Sequence, residues 1–362
     1  MIEGKLTRGN IRLGTQSWPA TALGAREFLR TQGRRAAWQG EIGEIWLAWC
    51  HGDEPGMTIQ TSGTTGAPKT VLHSREAVVA SARDTIQHWG LKPGASAVLA
   101  LPTSFVAGRM MLIRSIEGAW DLEVVQPTAH PGWSGRVDFA ALTPHQAKGW
   151  LNEGTGSCTH LLLGGGPVNE AILEGLLQSS RVQHVWEGYG LSETLTHVAT
   201  RELRSRDDLN SPFVPLPGIT IGRNELGCAV IDAPSREVHN LVTNDCIEEL
   251  AGGGFVWMGR ADDVVNTGGV LVHPAEIERT FEQLMPNWVA DWVAFGRSHT
   301  TLGDALVLRV HGTAPDGVDV DVMLAQWRTE LKSILGPVKA PRFVEWAEVP
   351  RTERGKIERS LL

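Results

Sequence analysis

The chain has 362 residues and a formal charge of −8, with 42% hydrophobic and 20% charged residues. That length allows two domains, or one large domain with an appendage, and the composition excludes a disordered chain. With no basic block the acidic balance argues against a nucleic-acid partner, and no window approaches the ~18 apolar residues that span a bilayer.

At the N-terminus Glu3, Lys5, Arg8 and Arg12 interrupt any apolar signal-peptide core, and residues 1–56 are a mixed segment to which no element is assigned. Met57 to Gln60 alternates like a strand, and Ser74 to Trp89 is patterned like a helix. Between them lies Thr61-Ser62-Gly63-Thr64-Thr65-Gly66-Ala67-Pro68-Lys69, expected to be a strand-to-helix loop that holds phosphate. Its glycines let backbone N–H groups turn inward, its hydroxyls add donors, and Lys69 adds a mobile charge. Gly63, Lys69 and Thr70 keep the spacing of a nucleoside-triphosphatase loop, yet Pro68 stands where the second glycine belongs. Proline removes a donor and fixes φ, so this is a different phosphate loop. An ordinary hydrophilic turn is the plain alternative.

Strand-like Ser96 to Leu101, helix-like Val106 to Ala119 and strand-like Leu122 to Val125 follow. His160 to Leu163 is a strand ending in Gly164-Gly165-Gly166-Pro167, then come a helix at Asn169 to Gln178 and a strand at Val182 to Trp186. This alternation predicts an α/β layered sheet whose strand-end loops carry the ligand. Directly after the last strand, Tyr189-Gly190-Leu191-Ser192-Glu193-Thr194 offers the only tyrosine, able to stack on a flat base, and a carboxylate able to hold Mg²⁺. A tight turn with a solvated glutamate reads equally well.

Gly218 to Trp257 is a β-rich part, alternating at Ala229 to Ile231 and Glu237 to Leu241. Thr243-Asn244-Asp245 ends an apolar strand, and Gly259-Arg260-Ala261-Asp262-Asp263 follows. An aspartate can accept both hydroxyls of a ribose and an arginine can reach the same sugar; a surface turn with an ion pair is the alternative. From there a helix at Pro274 to Leu284, strands at Trp292 to Phe295 and Ala305 to Val310, a helix at Val320 to Leu335 and a strand at Arg342 to Trp346 make an α+β domain. Near the end, Pro350-Arg351-Thr352-Glu353-Arg354-Gly355-Lys356-Ile357 sets a lysine in a Gly-bearing loop. Such a lysine is either solvated or placed to stabilise charge on a transferring group. The four cysteines, Cys50, Cys158, Cys228 and Cys246, form no C-x-x-C pair, which fits a reduced protein without a structural metal.

Taken in order, the 61–69 loop, Tyr189-Gly190-Leu191-Ser192-Glu193, Thr243-Asn244-Asp245, Gly259-Arg260-Ala261-Asp262 and Gly355-Lys356 resemble the adenylate-forming superfamily of acyl-CoA synthetases, carrier-protein adenylation domains and luciferases. The resemblance runs from about residue 57 to the end. It implies a large N-terminal layered α/β domain (1–259) with a β-rich part, and a small mobile α+β C-terminal domain (260–362). It implies a cytoplasmic ligase that uses ATP, Mg²⁺ and CoA on a small carboxylic acid, and it admits a homodimer. Thr61, Ser62, Gly63, Thr64, Thr65, Gly66 and Lys69 would embrace the β- and γ-phosphates. Gly164, Gly165, Gly166, Pro167, Glu187, Gly188, Tyr189 and Gly190 would line the adenine pocket. Glu193 would hold Mg²⁺, with Thr194 beside it in the catalytic set; Asp245 would bind the ribose with Arg260 nearby, and Asp262 matches the hinge. Lys356 would bridge the substrate carboxylate and the α-phosphate, and Thr267-Gly268-Gly269 would face the CoA thiol's arm in the second half-reaction.

The stretch Phe105 to Arg114 resembles short o-succinylbenzoate–CoA ligases of menaquinone synthesis, which implies a dicarboxylic aromatic acid. Thr103, Ser104, Phe105, Gly108 and Arg109 would line the acyl pocket. Arg109 would pair with a second carboxylate there, or it is a surface helix arginine. Two features depart from the superfamily pattern. Only sixty residues precede the phosphate loop, where members usually carry well over a hundred, and Thr103-Ser104 replaces the usual aromatic residue or histidine after Leu-Pro. The rival readings are another aryl- or acyl-CoA ligase, a carrier-protein-loading enzyme, a kinase or ATPase, and an inactive nucleotide-binding regulator.

Overall fold

The computed structural model describes residues 9–52, 56–61, 69–351, 357–358 and 361–362. The described residues divide into two compact units, one within Met1–Ile221, Ile231–Leu241 and Gly252–Gly254, the other within Gly222–Val230, Val242–Ala251 and Phe255–Leu362.

The unassigned N-terminal segment forms an antiparallel pair, β1 (Asn10–Leu13) and β2 (Gln16–Pro19), followed by α1 (Ala22–Thr31) and α2 (Ala37–His51). Next come β3 (Gly56–Thr61) and β4 (Lys69–Ser74), paired antiparallel from Gly56↔Ser74 to Thr61↔Lys69. The expected strand-to-helix loop is therefore strand-to-strand. Thr70 and Val71 are β-branched and favour a second strand. The helix α3 (Arg75–His88) begins only where the Ser74 hydroxyl caps Ala77 N–H at 3.0 Å.

The rest of this unit is β5 (Ser96–Leu99), α4 (Val106–Glu117), β6 (Asp121–Val124), β7 (Arg136–Leu142), α5 (Pro144–Glu153), β8 (Ser157–Leu163), α6 (Glu170–Gln178), β9 (Val182–Gly190), β10 (His197–Leu203) and β11 (Val214–Pro215). Nine strands form one sheet in the order β11-β10-β9-β8-β7-β5-β6-β1-β2, apart from the β3–β4 pair. The block from β9 to β1 is parallel. Parallel strands covered on both faces bury successive residues on opposite sides. Ala97, Leu99 and Leu162 thus join Phe28, Trp46 and Trp120 in one core, while Val98, Leu161 and Leu163 join Trp150, Leu173 and Leu176 in another. Because β5 lies between β6 and β7, the chain leaves it on one side and returns on the other. Sheets of this kind hold ligands beyond the strand ends at such a reversal.

A four-stranded sheet follows, in the order β12 (Thr220–Arg223), β13 (Cys228–Ala233), β14 (Val238–Glu249), β15 (Phe255–Arg260). The strand expected to end at Asp245 continues to Glu249, because residues 246–249 pair with β15. The C-terminal part of the second unit has β16 (Val265–Thr267), β17 (Val270–Val272), α7 (Pro274–Glu282), β18 (Val289–His299), β19 (Gly303–Gly312), α8 (Val320–Lys339) and β20 (Phe343–Trp346). Ile277, Phe281, Trp327 and Leu331 pack there against Leu306 and Leu308. The regular part of α8 stops near the expected Leu335, since Gly336 takes φ 79° ahead of Pro337. The expected fold class, layered α/β with a β-rich part and an α+β part, is the one observed. Among the described residues no helix is long and apolar enough to cross a membrane.

Candidate active site

The parallel register of β8 and β9 pairs Leu163 with Glu187, so the Gly164–Pro167 loop leaves the sheet beside the Glu187–Gly190 end of β9. Glu187 is 6% exposed and is held by Arg201, whose Nε and Nη2 donate to its Oε2 at 2.8 and 2.6 Å. Its other oxygen accepts Val168 N–H at 3.4 Å, which fastens the chain just past the glycine loop. Arg201 Nη1 also reaches the carbonyls of Leu209 and Ser211, and its guanidinium lies 4.4 Å from the Phe213 ring centre. Glu187 thus positions the glycine loop through an ion pair that nothing in the sequence pattern announced. Tyr189 is buried, with its ring 5.9 Å from that of Phe213. Gly190 is required by close approach, since a Cβ there would stand 2.1 Å from the Thr196 carbonyl oxygen.

Ser192–Thr194 is a single 3-10 turn, and it is followed by an unusual residue. Leu195 has φ 70° and ψ −52°, and Thr196 N–H donates to Thr194 O at 2.9 Å. This is a three-residue γ-turn of the strained hand. Surrounding groups over-determine it. The Thr194 hydroxyl accepts Leu191 N–H at 2.9 Å, and His73 on β4 bonds Ser192 O at 2.8 Å. Arg114 Nη2 donates to the Thr196 hydroxyl at 2.6 Å, and Arg236 Nη1 donates to Thr194 O and His197 O. The half-buried Glu193 makes no ion pair among the described residues and offers oxygen donors beside the strand ends. That donor chemistry fits Mg²⁺, which takes one or two protein carboxylates and fills its shell with phosphate and water.

His197 lies under this turn, 6% exposed, and its Nε2 has no partner among the described residues. Burial above all, with the charges of Arg114, Arg236 and His88, holds its ionisation well below the ordinary histidine range. The unfolded chain therefore binds a proton near pH 6.5 that the folded chain refuses, and stability falls as pH drops below that value. The expected contribution is about 1.4 kcal/mol lost per pH unit until the folded group titrates. His73, His88, His160 and His273 are lowered by burial too, so denaturant melts of the protein below pH 6.5 should show a steeper total slope, of which His197→Gln should remove about this much; an unchanged slope refutes the assignment.

At the switch point, Thr103 is 2% exposed while Ser104 and Phe105 face solvent. A Cβ at Gly108 would fall 2.2 Å from the Pro102 carbonyl oxygen, so α4 begins in contact with the strand-end loop. Arg109 donates from Nε to Thr103 O at 3.2 Å and from Nη1 to Thr58 O at 3.1 Å. It ties this loop to β3 and also borders a cleft of about 350 Å³ walled by Ile45, Ala48, Trp49, Met57 and Ile113, with Glu44 at its edge.

Asp245, Arg260, Asp262 and the Thr267–Gly269 segment lie in the second unit. Asp245 pairs with Arg260 across β14 and β15, their charged atoms 3.6 Å apart, and Arg260 also binds Asp262 at 2.9 Å. Thr267, Gly268 and Gly269 form the turn of the β16–β17 hairpin, with φ 61° and 85° at the two glycines. Two central residues at positive φ define a turn that suits glycine at both places. Ser62, Gly63, Thr64, Thr65, Gly66 and Lys356 lie outside the described residues, as do the side chains of Thr61 and Lys69.

The profile of the family described as "AMP-binding enzyme" matches residues 18–236. A probable 2-succinylbenzoate–CoA ligase of Mycobacterium tuberculosis (strain CDC 1551 / Oshkosh) is 27% identical over 342 residues, covering 86% of this chain and 84% of that protein. A 3,4-dihydroxybenzoate–[aryl-carrier protein] ligase of Bacillus anthracis is 23% identical, covering 86% of this chain and 74% of that one. The crystal structure of an acyl-CoA synthetase (AMP-forming)/AMP-acid ligase II-like protein from Dyadobacter fermentans DSM 18053 is 28% identical with a TM-score of 0.57. It covers 94% of this chain and 97% of that one.

Proposed function

This chain belongs to the AMP-binding enzyme family and is an AMP-forming acid–thiol ligase, and we propose that its acid is 2-succinylbenzoate and its thiol CoA. One observation carries the nucleotide half of this reading. The Gly164–Pro167 loop, the Glu187–Gly190 strand end and the Glu193 turn adjoin within the first unit, and His73 links that turn to the hairpin bracketing residues 62–68. The acid half is supported by the relatives named for 2-succinylbenzoate, and by a cleft of mostly apolar walls with Arg109 on its border. An aromatic ring suits such walls, and a second carboxylate suits a guanidinium.

A free carboxylate is a poor acyl donor because oxide would have to leave. Attack of its oxygen on the α-phosphorus of ATP expels pyrophosphate and gives an acyl-adenylate, whose leaving group is AMP. Residues 61–69 would bind the phosphates through hydroxyls and backbone N–H groups, and Asp245 with Arg260 would take the ribose. Glu193 would hold Mg²⁺, which screens charge on the phosphate oxygens when bound. Lys356 would neutralise charge developing at the α-phosphate. The thiolate then attacks the acyl carbon and AMP departs, with the Thr267–Gly269 turn beside the thiol's arm and Asp262 as the pivot between the two half-reactions.

A panel of acids, incubated with ATP, Mg²⁺ and CoA, tests the substrate. 2-Succinylbenzoate should release AMP and pyrophosphate at least about tenfold faster than hydroxybenzoates or fatty acids, since those leave Arg109 without its anion. Reaction of benzoates with 2-succinylbenzoate inert would overturn the acid assignment. Transfer to an aryl-carrier protein with CoA inert would overturn the thiol. ADP and phosphate as products would mark a kinase or ATPase and remove the whole reading.

A further inference from the structure

We propose that Arg236 is a positioning residue for Glu193, acting through the strained turn that follows it; this rests on the reading of Glu193 as the Mg²⁺ ligand. Arg236 ends the short 3-10 turn Pro234–Arg236, far along the chain from the Glu193 motif, and its side chain has 0% exposure. On one edge of its guanidinium Nε donates to Oδ2 of Asp84 on α3 at 2.9 Å, and Nη2 stands 2.8 Å from the same oxygen as an ion-pair contact without hydrogen-bond geometry. From the other edge Nη1 donates to the carbonyls of Thr194 at 3.1 Å and His197 at 3.0 Å. Those two carbonyls bracket Leu195 and Thr196, so one planar group spans the second half of the reversal between β9 and β10.

A buried ion pair is weak evidence for stability, because desolvation offsets much of its attraction. What this pair does supply is geometry. The Glu193 backbone is held on its N-terminal side by His73 at Ser192 O and on its C-terminal side by Arg236 at Thr194 O. With both neighbouring carbonyls fixed, the backbone at Glu193 and hence the direction of its Cα–Cβ bond are set. A lysine could meet Asp84 or the carbonyls but not both edges at once, since only guanidinium presents a rigid planar fork. Removing the fork lets the strained Leu195 relax and frees Glu193 to swing.

The test compares the full chain with Glu193→Gln, Arg236→Lys and Asp84→Asn. ATP binding is measured by calorimetry over a range of Mg²⁺ concentrations and again without metal. Arg236→Lys should raise the Mg²⁺ needed for half-saturation by about tenfold, the usual effect of losing a group behind a metal ligand. Metal-free ATP affinity should stay within about twofold, whereas a merely structural defect would weaken binding with and without metal alike. Asp84→Asn, whose side chain is 19% exposed, should move the Mg²⁺ requirement in the same direction and decides the matter if Arg236→Lys does not fold. If Glu193→Gln leaves the Mg²⁺ requirement unchanged, the reading of Glu193 fails. If Glu193→Gln raises it while Arg236→Lys and Asp84→Asn do not, the role of Arg236 alone is overturned.

Discussion

Lys356→Ala should lose acyl-adenylate formation by ~10²–10³, about 2.7–4 kcal/mol of transition-state stabilisation, while thioester formation from a supplied acyl-adenylate stays largely intact. The asymmetry follows from where charge develops. In the first half-reaction negative charge accumulates at the α-phosphate, and a preorganised ammonium there is worth most in the transition state. In the second, on the proposed rotation about Asp262, the lysine has left the phosphate before sulfur attacks the acyl carbon and AMP departs. Pyrophosphate release at saturating ATP reads the first step, and CoA-dependent AMP release from synthetic adenylate reads the second. Equal loss in both would refute the division of labour, and no loss in either would remove Lys356 from catalysis.

Arg201→Met should lower unfolding free energy by about 3–5 kcal/mol, the usual result of leaving one partner of a buried ion pair alone. The side chains of Arg201 and Glu187 are 11% and 8% exposed, and the guanidinium also satisfies two backbone carbonyls. In a region of 150–250 residues a loss of that size lowers the melting midpoint by about 6–20 °C. The companion double variant Arg201→Met with Glu187→Met should recover much of the loss, because no uncompensated charge remains. Recovered stability without recovered ATP binding is expected, since Val168 N–H and the glycine loop lose their anchor along with Glu187. A single variant within about 1 kcal/mol of the parent would refute the account.

Legibility in the sequence tracked the range of the interactions involved. Tyr189-Gly190-Leu191-Ser192-Glu193 is contiguous, and its glycine is demanded by a neighbour only six residues away, so a linear motif records it. The C-terminal helix was legible to the residue before Gly336 because glycine and proline announce the break locally. Arg236 was invisible for the opposite reason. Its partner Asp84 is 152 residues distant, and an arginine in a short surface-like sequence gives no sign of being buried. The same holds for Arg114, which follows Met110 to Ile113 on a helix buried on several sides, where apolar periodicity is blurred. Strands β1 and β2 are four residues each, too short for alternation to register, and α2 carries apolar residues around much of its circumference. The strand after the phosphate-loop sequence leaves only Thr70 to His73 between the loop and the Ser74 helix start, too short a run for alternation to register.

The crowding of Pro102 against Gly108 bears on any attempt to retune which acid the enzyme accepts. A saturation library at position 108 would return mostly broken proteins, because even a methyl group there collides with backbone that cannot step aside. On the proposed placing of residues 103–109 at the acyl pocket, Ser104 and Phe105, open to solvent on the same turn, are where selection for new acids should begin.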